Sequence, residues 1–207
     1  EILTHIRHSE KVFVMKIFLS IFIFIFSLQS LTKADDIRDF QIEGISVEDS
    51  LLDYFNKNQI EDMKYPVVRG GKKFYEYHKV DSNYKSKNYD KIYLYFKTDD
   101  PNKIIQAIAG RKYYTNNIDE CYNLQKHIVN ELESIFSEVI KEDKGRLKNT
   151  AFPNGDSYKN DISFYFEDNT MVHTACYDYS IKDTKTRDRL SIAIFTKQYL
   201  DWFWSLQ

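Results

Sequence analysis

The stretch Tyr89-Asp-Lys-Ile-Tyr-Leu-Tyr-Phe-Lys-Thr98 decides the fold. Ile92, Leu94 and Phe96 fall on one side of an extended chain, and Tyr93, Tyr95 and Lys97 on the other. That period of two marks a half-buried antiparallel strand. Asp99-Asp-Pro-Asn102 reads as a turn into a second strand over Lys103 to Tyr114, and Lys73 to Val80 supplies a strand before them.

Working outward, Asn117 opens the strongest helical pattern in the chain. Ile118, Cys121, Leu124, Ile128, Leu132, Ile135 and Val139 recur three or four residues apart, and the helix is expected to run to about Ile140. Lys141 to Lys148 reads as a charged loop. Strands return at Asp161 to Phe166, Met171 to Tyr179 and Arg189 to Thr196, and Lys197 to Gln207 reads as a short helix. Upstream, Ser46 is placed to cap a helix from Val47, with Asp49 at the capping-box position and Leu51, Leu52, Tyr54 and Phe55 as its apolar stripe. It should fade before Tyr65-Pro66, because a residue preceding proline is pushed out of the helical region.

Together these elements predict an α+β domain: an antiparallel sheet with two main helices packed on one face. Ile92-Tyr-Leu-Tyr-Phe96, a turn and Ile104-Ile-Gln-Ala107 parallel Ile162-Ser-Phe-Tyr-Phe166, a turn and Met171-Val-His-Thr-Ala175. Each pair follows a helical pattern, so a repeated helix-plus-meander unit is one reading. Chance similarity of two amphipathic hairpins is the other.

The N-terminal part reads as an address rather than as fold. Met15-Lys16, the apolar run Ile17 to Phe26 and the polar run ending at Thr32-Lys33-Ala34 have the three parts of a secretory signal peptide. Residues 1–14 read as an upstream extension and residues 35–207 as a single domain. An uncleaved anchor is the alternative, but spanning a bilayer takes about 20 mostly apolar residues, and Gln29, Ser30, Thr32 and Lys33 interrupt this run. A periplasmic or secreted location, without a stable membrane span after cleavage, is the expectation.

The net charge of −2 argues against nucleic acid as the main partner, since a phosphate-binding surface needs a basic excess. In an oxidising compartment the two cysteines, Cys121 and Cys176, are expected to form a disulfide. The alternatives are two small buried residues, or a thiol nucleophile with His127 or His173 as base. The register of Cys121 with Leu124 and Ile128 turns it towards the core, against the last.

No close Cys or His pair announces a metal, and Asn154-Gly155-Asp156 reads as a turn rather than a calcium loop. There is no Gly-rich phosphate loop and no Gly-x-Ser-x-Gly elbow, so no cofactor is predicted. Tyrosines 75, 77, 93, 95, 113 and 114 either line a binding face or pair across strands as ordinary sheet residues. The C-terminal aromatics Tyr199, Trp202 and Trp204 are the candidate partner contact.

The run Asp36-Ile-Arg-Asp-Phe40-Gln-Ile-Glu-Gly44-Ile-Ser46 with Asp49-Ser-Leu-Leu-Asp53 resembles the start of small uncharacterised exported proteins of AT-rich marine alphaproteobacteria. Ile118-Asp-Glu-Cys-Tyr122, Cys176-Tyr-Asp-Tyr-Ser180 and Thr196-Lys-Gln-Tyr199 with Asp201-Trp202 extend the likeness over most of residues 35–207. The resemblance implies a Gram-negative periplasm and a paired Cys121 and Cys176, and brings no activity. In shape the chain also resembles the helix-and-sheet modules of beta-lactamase-inhibitor-type and outer-membrane-assembly lipoproteins, but it lacks their lipid-bearing cysteine.

These readings predict a non-enzymatic binding or adaptor module that meets another periplasmic protein. The alternative is a small hydrolase or ligand-binding protein with a site assembled from His78, His173 and scattered carboxylates.

Overall fold

The computed structural model describes residues 37–62, 64–66, 74–78, 86–115, 117–136 and 139–206. Every described residue belongs to the unit of residues 34–207. The expected extension and leader, residues 1–34, lie outside the described residues.

The alternating segments form one eight-stranded antiparallel sheet. Its strands are β1 (Lys64–Pro66), β2 (Phe74–His78), β3 (Lys91–Lys97), β4 (Ile105–Tyr114), β5 (Ile140–Lys148), β6 (Tyr158–Tyr165), β7 (Met171–Asp178) and β8 (Asp188–Phe195), in the spatial order β1-β2-β3-β4-β8-β7-β6-β5. Two four-strand meanders thus meet along β4 and β8, with Ala109 opposite Ala193 and Arg111 opposite Ser191. The helices are α1 (Lys57–Asp62), α2 (Ile118–Ile135) and α3 (Lys197–Trp204).

The expected fold class is what the chain adopts, with differences of detail. The long helix expected from Val47 is a 3-10 turn at Leu51–Asp53 followed by the short α1. The backbone of Glu48, Asp49 and Leu51 bonds to Ile105 and Lys103 at the start of β4 instead of to its own next turn. Half of the predicted capping box survives, because the Asp49 carboxylate accepts from the Ser46 amide (3.1 Å). The box that opens a helix lies further on, where Asn56 and Gln59 exchange side-chain and backbone hydrogen bonds, each of 3.0 Å.

Helix α2 buries Cys121, Gln125, Val129 and Leu132 and half-buries Ile118, Leu124 and Ile128, so its inward stripe is rotated slightly from the purely apolar one. It ends at Ile135 rather than Ile140, with Phe136 extended. The predicted charged loop is the edge strand β5, whose side chains are nearly all exposed. Charge on an edge discourages pairing with another chain, and it also erases the apolar alternation that betrays a strand.

The main core lies on one sheet face, where Ile92, Leu94, Phe96, Ile108, Phe164, Val172 and Ile192 meet α2, α1 and the N-terminal segment through Leu132, Ile60 and Leu51. The Cys121–Cys176 disulfide bonds the first turn of α2 to β7, with Cα atoms 6.0 Å apart. Helix α3 lies on the opposite face, where Tyr199 and Trp202 cover Ala107 between Tyr95 and Phe195. The two meanders are preceded by unlike helices, and a repeated unit is not established.

Candidate functional site

Strand register sorts the chemistry on the face that α3 partly covers. Beyond α3, that face has a buried floor of small residues, Ala109, Ala193, Ala175, Ser191 and Ser163. Taller polar side chains stand on either side of it.

On β6 and β7, Asp161, His173 and Lys159 stand together. His173 Nε2 lies 3.0 Å from Asp161 Oδ1, and Lys159 bonds the other carboxylate oxygen. Burial works to raise the Asp161 pKa, but His173 and Lys159 outweigh it and hold the carboxylate well below its ordinary range. Ser163 is opposite His173 in register, yet among the described residues no hydrogen bond joins them. The dyad therefore lacks the nucleophile contact that a hydrolytic triad needs.

At the end of the sheet away from α3 stands a cluster of cations and tyrosines. The Arg111 guanidinium carbon lies 3.9 Å from the centre of the Tyr93 ring, and that of Arg189 lies 4.6 Å from Tyr177 and 5.4 Å from Tyr179. Arg187 and Lys91 approach Tyr113 at 4.9 and 5.9 Å. No carboxylate among the described residues pairs with any of these four cations. The acids at this end are engaged elsewhere: Asp90 accepts from the Tyr113 amide (2.6 Å), Asp188 from the Tyr179 amide (2.8 Å) and Asp178 from Arg146 (2.9 Å). Burial pushes the Tyr113 hydroxyl up, but the Tyr93 hydroxyl, Arg111 and Lys91 bring it below its usual value. Burial, as the largest influence, pushes Tyr179 up.

The residues singled out from sequence scatter across this frame. Tyr93, Tyr95 and Tyr113 share the α3 face, whereas Tyr114 is buried in the main core. Tyr75 and Tyr77 pair in register with Phe96 and Leu94, and His78 with Tyr93. Four strand spacings, about 19 Å, separate the His78 and His173 positions, so the two histidines do not form one site. His127 is exposed beside Glu131 (3.4 Å). With both cysteines joined, no thiol nucleophile remains.

Tyr199 and Trp202 are 6% and 5% exposed, and only Trp204, at 54%, faces solvent. Among the described residues no group of three His, Cys, Asp or Glu converges as a metal site, and no helix is long and apolar enough to cross a membrane. Arg111 and Arg189 were legible only as the polar partners in Ile108-x-Gly-Arg and Arg-Leu-Ser-Ile192, alternations that mark a strand without revealing the missing counter-charge. Comparison with models of known protein families, with curated proteins and with solved structures finds no match to this chain.

Proposed function

We propose that this chain is an exported binding or adaptor module, working in the periplasm or outside the cell, that holds a partner protein on the sheet face shared with α3. The observation that carries the reading is the pair of half-buried arginines, Arg111 and Arg189, seated on tyrosines with no carboxylate partner among the described residues. Burial disfavours the Arg111 charge, but Tyr93, Tyr95 and Tyr113 outweigh it and raise the pKa, and perturbed charged groups concentrate where proteins meet ligands. The disulfide supports export, since such bonds persist in oxidising compartments.

Affinity capture from the exported fraction tests the reading, using wild type, Arg111→Gln/Arg189→Gln and Trp204→Ala. A partner retained by wild type and lost from the double variant is expected. Equal recovery by all three proteins overturns the contact surface.

A second reading, a small hydrolase, is favoured by the Asp161–His173 dyad alone. Ester hydrolysis that disappears in His173→Ala while the protein stays folded would support it, and equal background rates would remove it.

A further inference from the structure

The cluster on β3, β4 and β8 defines what its occupant must offer. A guanidinium over a tyrosine engages the negative ring face and keeps its in-plane N–H fork for another acceptor. The Nε atoms of Arg111 and Arg189 are buried and have no hydrogen-bond partner among the described residues. Lys91 is directly opposite Arg111, Tyr113 is directly opposite Arg189, and Arg187 precedes the start of β8. Four cations thus gather at one end of three adjacent strands, with Asp90 and Asp188 turned to backbone amides and Asp178 to Arg146.

We infer that this patch seats an acidic peptide segment of the partner protein, with two carboxylates, two residues apart, on Arg111 and Arg189. The inference rests on reading this face as the partner contact. Arg111 and Arg189 are diagonal neighbours across the β4–β8 pair, a separation of about 7 to 8 Å. Same-side residues of an extended chain repeat at about 7 Å, so a segment with acids at every second position matches the arginine spacing. Guanidinium and carboxylate pair through two parallel hydrogen bonds, which suits Arg189 and the donors that Arg111 keeps beside its hydrogen bond to Tyr113. The ring faces of Tyr93, Tyr113 and Tyr177 are already engaged by cations, which disfavours an acidic sugar stacking on them.

The test is fluorescence anisotropy of the full chain with a dye-labelled eight-residue peptide alternating Glu and Ser. Its controls are the matching Gln and Ser peptide and competition by hexagalacturonate and by inorganic phosphate. The Glu peptide is expected to bind, with affinity falling about tenfold in Arg111→Gln/Arg189→Gln and severalfold in Arg111→Lys, which keeps the charge but loses the fork. Lys91→Gln/Arg187→Gln changes only exposed side chains, and it should weaken binding about threefold even if the other double variant fails to fold. Equal binding of the Gln peptide, unchanged affinity in the exposed pair, or displacement by hexagalacturonate or phosphate at lower concentration than by unlabelled Glu peptide overturns the inference. Absence of peptide binding alongside arginine-dependent capture of a partner overturns this inference alone. Loss of both overturns the contact surface as well.

Discussion

Asp161 shows how a single carboxylate can tie two strands together and make their stability depend on pH. Its folded pKa is held below the unfolded value by His173 and Lys159. Its stabilising contribution is therefore fully present above about pH 4 and is lost as the pH falls towards the folded value. Urea midpoints measured from pH 6 down to pH 2.5 should fall more steeply for wild type than for Asp161→Asn. Parallel curves would show that the trio does not report on acid stability. The two tryptophans of α3 make a contrasting pair. Trp202→Ala removes a ring 5% exposed and should cost about 3–5 kcal/mol, whereas Trp204→Ala, at 54%, should stay within about 0.5 kcal/mol, both read by denaturant unfolding. Trp204 is therefore the usable probe of contact by this helix.

At the scale of elements, β4 is kept close to its neighbours by an absent side chain. A Cβ on Gly110 would lie 2.7 to 2.8 Å from the Tyr89 ring, and burial with the Glu43 charge pushes the Tyr89 hydroxyl up to about 12. Gly110→Ala should destabilise by about 1–3 kcal/mol, and Gly110→Ala/Tyr89→Ala should lose less than the sum of the two single changes. Additive losses would mean that the ring does not meet the new methyl.

Elements with a clean alternation, such as β3, and the period of α2 were legible because one physical demand, burying a single face, shaped each of them. The helix expected from Val47 failed because its backbone joins β4, a tertiary choice invisible to local propensity. Edge strand β5 was missed because its charges hide the period of two. The candidate site was less legible still. Tyr93, Tyr95 and Tyr113 could be named from sequence, but Arg111 and Arg189 gain meaning only when register sets them diagonally across two strands far apart in the chain.

For the whole molecule, the Cys121–Cys176 bond closes a sequence separation of 55 residues, worth about 4 kcal/mol in the chain-entropy model. Cys121→Ser/Cys176→Ser should lower unfolding stability by roughly that amount. Unreduced, unfolded wild type should show no free thiol in a thiol titration, and two would contradict the bond.

The cross-link also lies wholly within the second half of the chain, joining α2 to β7 and leaving β1 to β4, and β8, outside its loop. The first meander is held to the second by the β4–β8 seam and the shared core. Local opening should therefore begin far from the bond. Native-state hydrogen exchange is expected to release β2 and β3 amides at lower free energy than those of β7 and β8. Two meanders joined in one sheet would then behave as two cooperative units: a resilient half anchored by sulphur and a half that can breathe. The arginine–tyrosine cluster straddles the boundary, with Lys91 and Arg111 on one side and Arg187 and Arg189 on the other. An occupant seated across both halves would slow that opening, so protection of β3 amides should rise when the patch is filled.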